Sequence, residues 1–452
     1  MKIIAIVGFG FCGRLALAHL VKKSEQNTKI LIFDKNGKNA LGPAFSGFSP
    51  HYILNVTAVR MSAFSEAPKS FCEFLQEKYP QVWSEIGENG FAPRQIYGKY
   101  VEEFTQEAFA VAEQNGVQVE FVSEEVTQIL KQVQDDNALA LRYSNSQLSL
   151  HRHPELVSGS IHFALTTSSN NTYQASEILL ATSFKQSNLP FDFTSENLVK
   201  KLWNQDSQQF HQQIFTNETI CLIGSGLTAV DVIVGLKKKN FSGKIFVISR
   251  RGNFPKKHFA QHQPIHHFIA PQDSKKGLLF LCLKIRNFLR QNPQFDLRHV
   301  IDSVRYSTVE LWQNFDEKNK KLFLRLLPYW NIFRHRAPIS SVELIEEMIA
   351  SGQIEIKKKG VKKISEKDGK ILIETRGEEI ECDYAVNCLG FEFKLEKYPL
   401  LAQMVDAGLL KKDLFLAQSN HPQVRLLGGL NVGRDFECTA VPDLRLSVES
   451  LF

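Results

Sequence analysis

Two knots of glycine stand where chemistry could be done. Gly8, Gly10 and Gly13 follow the β-branched run Lys2–Val7 and open an apolar helical pattern from about Phe11 to Lys22. Gly224, Ser225 and Gly226 follow Thr219–Ile223 and, with Thr228, open a second such pattern that runs through Leu236. Glycines at a strand-to-helix turn allow a tight bend, close backbone approach of a pyrophosphate, and packing of the helix on its strand. Phosphate then faces the positive end of the helix. The spacing therefore predicts dinucleotide binding, twice in one chain.

The residues beyond each loop differ in sign. Lys29–Phe33 reads as a strand and ends in Asp34, about 20 residues past the glycines, where a carboxylate accepts hydrogen bonds from ribose hydroxyls. That selects FAD or NAD. Lys244–Ile248 ends in Ser249, Arg250, Arg251 and Gly252. Guanidinium groups there favour a 2′-phosphate through charge and bidentate hydrogen bonding. That selects NADP. Two such sites let a nicotinamide pass hydride to a second bound cofactor, for which flavin is the usual acceptor.

Other reactive residue types are weaker signals. Arg334, His335 and Arg336 precede Pro338. This concentrated positive charge suits an anionic substrate, the nicotinamide dinucleotide phosphates, or salt bridges to a neighbouring element. His151 and His153 have no accompanying Cys or carboxylate pattern, so no metal site is expected. Trp312 and Trp330 read as packing anchors. The seven cysteines are dispersed, with no CxxC, which fits a reducing cytoplasm and argues against a dithiol mechanism.

The elements needed to position these groups follow from length and pattern. The 452 residues, 43% of them hydrophobic, suffice for two or three domains with buried cores. A net charge of +6 without a long basic run requires no nucleic acid partner. Lys2 precedes an apolar stretch, but Arg14 interrupts it, which argues against a signal peptide. Gly277–Leu289 is too short and too charged to span a bilayer.

The fold expected is α/β, with two Rossmann-like dinucleotide-binding domains. Residues 1–212 and 380–452 form a discontinuous FAD domain, which Asp383–Asn387 rejoins as a strand. Residues 213–379 form an NAD(P) domain carrying a helical insertion at about 261–350. Val117–Phe121 and Glu177–Ala181 read as strands flanking a meander, and residues 129–160 as an inserted surface loop with the histidine pair as passengers. An Asp368-Gly369 turn predicts a hairpin.

The segments GPAFSGFSPHYILNVTAVRMSAF, FAPRQIYGKY, LIGSGLTAVDV, LLPYWNIFRHRAP, YAVNCLGF and ECTAVPDLR together resemble the YdhS-like FAD/NAD(P)-binding flavoproteins, which are related to two-dinucleotide-fold monooxygenases. The resemblance implies that Gly8, Gly10 and Gly13 seat the FAD pyrophosphate and Asp34 its ribose. It places Gly42, Asn55, Met61 and Thr182 beside the flavin nucleotide, and Ala440 and Val441 in the C-terminal return beneath the isoalloxazine. Arg94 and Tyr97 would face the flavin and substrate cavity, with Arg334 and Arg336 as further substrate contacts. Ser183 and Leu389 stand where the family usually has glycine and threonine.

The implied activity is that of a cytoplasmic, NADPH-using FAD oxidoreductase acting on a small molecule, with monooxygenation favoured. A flavin reductase without oxygen insertion and a non-enzymatic redox sensor share the same motifs. No side chain is required as a covalent catalyst.

Overall fold

The computed structural model describes the chain apart from Glu25 and residues 46–50, 134–160, 204–209, 211–213, 215, 261–264, 266 and 267. Lys2–Val7 is the central strand of a five-stranded sheet, flanked by Thr28–Phe33 and Glu177–Leu180, with Gln118–Val122 and Val424–Leu426 at the edges. Every pairing in it is parallel. A second five-stranded parallel sheet repeats the plan, with Ile220–Ile223 at its centre between Ile245–Ile248 and Tyr384–Asn387. Ile354–Lys357 and Leu198–Val199 are its edges. The central strands are near-continuous runs of buried Ile, Leu, Val and Ala, the composition expected of parallel strands covered on both faces.

Each sheet carries an antiparallel meander. Val126–Val133, Ile161–Thr167 and Thr172–Ala175 pair in the first unit. Val361–Lys367, Lys370–Thr375 and Glu379–Cys382 pair in the second. The Asp368-Gly369 turn forms as expected, with φ of 52° and 76° at the two residues, the pair of positive values that a tight hairpin of matching twist requires.

Three expectations need correction. Tyr384–Asn387 does not rejoin the first sheet. It lies between Ile220–Ile223 and Leu198–Val199 in the second, and Asn387 fixes it by donating from Nδ2 to the Ser187 and Lys200 carbonyls. The second unit thus repeats the first, in which the strand after the meander, Glu177–Leu180, also returns to its own sheet. The chain re-enters the first sheet only at Val424–Leu426.

The inserted loop does not begin at 129, because Ile129 is fully buried within strand Val126–Val133. The rest of the expected loop from 134, including His151 and His153, lies outside the described residues. The helical insertion ends earlier than expected. Ile339–Ala350 packs Val342, Ile345 and Met348 into the core of the second unit as the crossover from Ile245–Ile248 to Ile354–Lys357.

The remaining helices, Leu278–Gln291, Leu297–Ser303, Thr308–Asn314 and Glu317–Arg334, bury their apolar faces against Phe415, Val432 and Phe436 of the C-terminal segment. Trp312 anchors that contact. Its Nε1 donates to the Gly433 carbonyl at 2.8 Å and its ring stacks on Phe436 at 4.9 Å. No helix among the described residues is long and apolar enough to cross a membrane.

Helix Phe11–Lys23 is seated on its strand through one close contact. A Cβ at Gly13 would lie 2.2 Å from the Gly8 carbonyl oxygen, whereas one at Gly226, which opens the second helix, meets nothing within 4 Å. Gly13→Ala is expected to cost about 1–3 kcal/mol through overpacking, and Gly226→Ala less than about 0.5 kcal/mol. Urea unfolding of both variants checks this, and equal losses would contradict the packing account.

Candidate functional site

Both glycine loops are built on the same contact. Gly8 has φ of +97°, and a Cβ there would lie 2.8 Å from the carbonyl carbon and oxygen of Ala181. Gly224 has φ of +116°, and its Cβ would lie 2.6 Å from the Cys388 carbonyl oxygen. In each unit the first glycine lets the loop cross the end of the neighbouring strand, a conformation and a clearance that only glycine supplies without strain. The Gly8 crossing is made by Ala181 and Thr182, one residue before the exposed Ser183. Ser183 therefore does not disturb it. The atom of Leu389 nearest to the Gly224 Cβ position is its backbone nitrogen, at 3.3 Å.

The middle glycines face space. A Cβ at Gly10 meets only the Leu41 carbonyl at 3.9 Å. Gly42 closes on Gly10, its Cβ position 3.5 Å from the Gly10 Cα. The third glycine of the second loop is replaced by Ala229, which is fully buried. The motif tolerates alanine there because the role is packing.

Asp34 and Arg14 hold the first loop in shape. Asp34 Oδ2 accepts from the Phe9 backbone N–H at 2.8 Å, and Oδ1 accepts from that of Asn36 at 2.9 Å. The guanidinium of Arg14, buried in the first helix, donates to the Phe9, Lys38 and Ala40 carbonyls at 3.0, 2.7 and 3.1 Å. It ties the 38–42 loop across the glycines. Sequence reasoning assigned Arg14 no such role. Its signal was a lone charge in an otherwise apolar helical stretch, which must find acceptors if buried.

In the second loop Ser225 is buried, and its hydroxyl donates to the Asn253 carbonyl at 2.7 Å and accepts from the Ser249 hydroxyl at 2.9 Å. This links the glycine loop to the residues after strand Ile245–Ile248. Arg250 is exposed and Arg251 half-buried, the latter over the Tyr329 ring at 5.3 Å. Neither has a carboxylate partner among the described residues. The acid that follows the first unit's second strand thus has a free basic pair as its counterpart in the second.

The two units meet along residues 52–61 and 88–94, which run antiparallel through a bridge between Ile53 and Pro93. His258, on the loop after the basic pair, is held by its Nε2 against the Asn55 carbonyl at 2.9 Å. Burial and nearby Arg336 push its pKa down to about 4. The side chain of Met61 is buried. Arg94 opens helix Arg94–Gln114 and reaches Asp231 of helix Leu227–Lys238 at 3.1 Å. Burial raises the Asp231 carboxyl to about 6 against the opposing pull of Arg94. Arg94 is thus a bridge between the nucleotide units.

Three proposed substrate contacts sit differently from expectation. Tyr97 is fully buried within an aromatic cluster, 4.7 Å from the Phe45 ring and 4.9 Å from Phe71, and its hydroxyl has no partner. It occupies core, because the helix face that carries it packs inward. Arg334 is buried and pairs with Asp443 at 2.9 Å, with its Nε 3.3 Å from Glu437 but without hydrogen-bond alignment. Arg336 is buried against Asp302. Both therefore act as ties between the helical insertion and its surroundings.

The C-terminal return does reach the first unit. Ala440 caps helix Val441–Glu449, whose Val441 and Val448 join the core around Phe11–Lys23. The turn before it presses Gly428 so close to Cys12 that a Cβ would lie 2.5 Å from the sulfur.

Burial pushes the Cys12 thiol up to about 12, and Cys221, Cys388 and Cys438 upward as well. Such thiols stay protonated and inert near neutral pH. No cluster of three or more metal-ligating side chains occurs among the described residues. Open clefts of about 490 and 390 Å³, lined for example by Asn420 and Arg425 and by Glu66 and Glu103, involve neither glycine loop.

Two parallel sheets, each with a glycine loop at the carboxyl end of its central strand, define a two-dinucleotide fold. Residues 5–152 match the model of the FAD-NAD(P)-binding family. No curated protein matches the chain in sequence. Among solved structures, it is similar to the reduced form of ornithine hydroxylase from Pseudomonas aeruginosa, at 14% identity and a TM-score of 0.60 over 100% of this chain and 97% of that one. L-lysine 6-monooxygenase from Pseudomonas syringae gives 14% and 0.59 over 100% and 97%. Bacillithiol disulfide reductase from Staphylococcus aureus gives 13% and 0.52 over 100% and 98%. At these identities the likeness establishes a common fold.

The Arg94–Asp231 bridge yields a pH prediction. The carboxyl of Asp231 is raised in the folded state, from 3.8 to about 6. Its contribution to stability is therefore fully present below about pH 4 and lost as pH rises through 6. Between pH 5 and 7.5 the stability of the native protein should fall by roughly 1 kcal/mol relative to Asp231→Asn. Urea unfolding at both values tests this. A difference between the two proteins that does not change with pH would refute the raised carboxyl.

Proposed function

We propose that the chain is an FAD-dependent, NADPH-using oxidoreductase of monooxygenase type acting on a small molecule, with residues 1–197 and the segment after 387 as the FAD unit. Residues 198–387, apart from the helices of the insertion, then form the nicotinamide unit, with strand Leu198–Val199 as its edge. One observation carries the reading: the same glycine crossing occurs twice, with an acid after the second strand of one unit and, after that of the other, a basic pair with no carboxylate partner among the described residues.

The residues fit the cofactors. The Cβ position of Gly10 meets only one atom within 4 Å and that of Gly226 none, so backbone can approach a pyrophosphate at both helix starts. Asp34 is already oriented by two backbone donors, with lone pairs left for ribose hydroxyls. Gly224 to Thr228 would hold the nicotinamide dinucleotide, and Arg250 and Arg251 its 2′-phosphate.

Flavin, when bound, supplies the redox chemistry. The protein's share is alignment and exclusion of water. Arg14 and Asp34 fix the first loop, Ser225 and Ser249 the second, and Arg94–Asp231 with Asn55–His258 fix one unit against the other. The similar hydroxylase structures favour oxygen insertion, and the protonated, buried thiols count against disulfide reduction. Turnover with one product hydroxylated per NADPH consumed separates this from a reductase, which oxidises NADPH without a hydroxylated product.

The basic pair gives the sharpest test. Hydrogen bonds to a charged group are worth on the order of 1.5–3 kcal/mol each, less where solvent screens them. Arg250→Ala/Arg251→Ala should slow flavin reduction by NADPH about 10- to 100-fold at low concentration and that by NADH about 3-fold or less. FAD content should be unchanged. Stopped-flow reduction with each nicotinamide measures this, and equal losses would assign the arginines a structural role.

A further inference from the structure

Where the 52–61 segment, the helical insertion and the C-terminal return converge, positive charge exceeds negative. Arg60 closes a short turn, Ala58–Arg60, and Arg305 opens another, Arg305–Ser307, directly after helix Leu297–Ser303. Both are half-buried. Neither guanidinium has an ion-pair or hydrogen-bond partner among the described residues. The surrounding carboxylates already have arginine partners. Asp443 pairs with Arg334, Glu437 with Arg334 and Trp330, and Asp302 with Arg336.

Among the described residues, four guanidinium groups thus lie near three carboxylates. The two neighbouring imidazoles do not add to the charge: burial and adjacent arginines hold His258 down to about 4 and His335 down to about 3. Burial together with Arg334 and Arg60 lowers Arg305 to about 10, and burial and Arg334 lower Arg60. Arg60 and Arg305 are therefore partly desolvated and close to like charges. Asp443 and Asp302 act on both but are each in an ion pair with another arginine, and neither Arg60 nor Arg305 has an ion-pair or hydrogen-bond partner of its own among the described residues. Such an arrangement is unfavourable unless an anion completes it.

We propose that Arg60 and Arg305 bind the anionic end of the small-molecule substrate, a carboxylate, at the junction between the two nucleotide units. The inference rests on the functional reading above only for the word substrate. Anion binding itself is independent of it. A planar guanidinium pair suits a carboxylate or a phosphate oxygen. The competing source of the same chemistry is the nicotinamide dinucleotide, whose phosphates already have the Gly224–Gly226 loop and the Arg250–Arg251 pair. The carboxylate is therefore favoured.

The experiment uses the purified full chain, with benzoate as the carboxylate probe and NADP as the phosphate probe. In a low-salt buffer without anionic additives, benzoate should raise the melting temperature of the native protein and bind in isothermal titration calorimetry. Arg60→Gln and Arg305→Gln, made separately, should each weaken benzoate at least 10-fold and leave NADP affinity within 2-fold. Each should also raise the melting temperature of the ligand-free protein, because a repelling charge is removed. A structural tie would do the opposite.

Three results would overturn the proposal: no benzoate binding by the native protein, unaltered benzoate affinity in both variants, or a loss of NADP affinity equal to that of benzoate. A variant that fails to fold is replaced by Arg→Lys at the same position, for which the same weakening of benzoate is expected. Because melting and calorimetry do not need flavin, a protein lacking flavin would defeat the oxidoreductase reading and leave this test intact.

Discussion

The structure depends on one constraint used twice, the crossing of a glycine over the end of a neighbouring strand. At Gly8 and at Gly224 the chain leaves the central strand with φ near +100° and passes within contact of a carbonyl from the adjacent strand. Any side chain at either position would meet that backbone, so the loop, the helix start and the strand order are fixed together. The helix N-terminus is thereby held at the carboxyl edge of the sheet, where ligands of open parallel sheets bind. Asp34, Arg14 and Ser225 then make finer adjustments to a geometry already set.

The second determinant is charge at the junction. Arg94–Asp231 and His258–Asn55 join the nucleotide units, while Arg334 and Arg336 tie the helical insertion to the C-terminal return and to itself. Buried ion pairs contribute little net stability, since desolvation offsets attraction, but losing one partner is costly. Their effect is positional. They hold one unit against the other, and Arg60 and Arg305, which lie near the Arg334 and Arg336 ties, have no ion-pair partner among the described residues.

Much of this was legible in the sequence because it is local. The loops, Asp34, the basic pair, the Asp368-Gly369 hairpin and the packing role of Trp312 are each written in a few neighbouring residues. What was missed depends on distant partners. Tyr97 and Arg94 stand three residues apart at the start of one helix, yet one faces the core and the other an acid in a different unit. The pairing of Arg334 with Asp443 joins residues more than 100 positions apart, so charge alone suggested a ligand where the fold supplies a carboxylate. Tyr384–Asn387 could have been placed correctly by carrying the repeat through, since the strand after each meander returns to its own sheet.

The account stands most directly on flavin content. Native protein and Gly10→Val should be purified side by side, reconstituted with FAD, and compared by flavin absorbance per chain and by NADP binding. The account predicts one FAD per native chain, loss of flavin from Gly10→Val where the valine side chain fills the phosphate approach, and undiminished NADP binding to the second loop. Native protein that neither carries nor takes up FAD, or a Gly10→Val variant that binds it as well as the native chain does, would contradict the account.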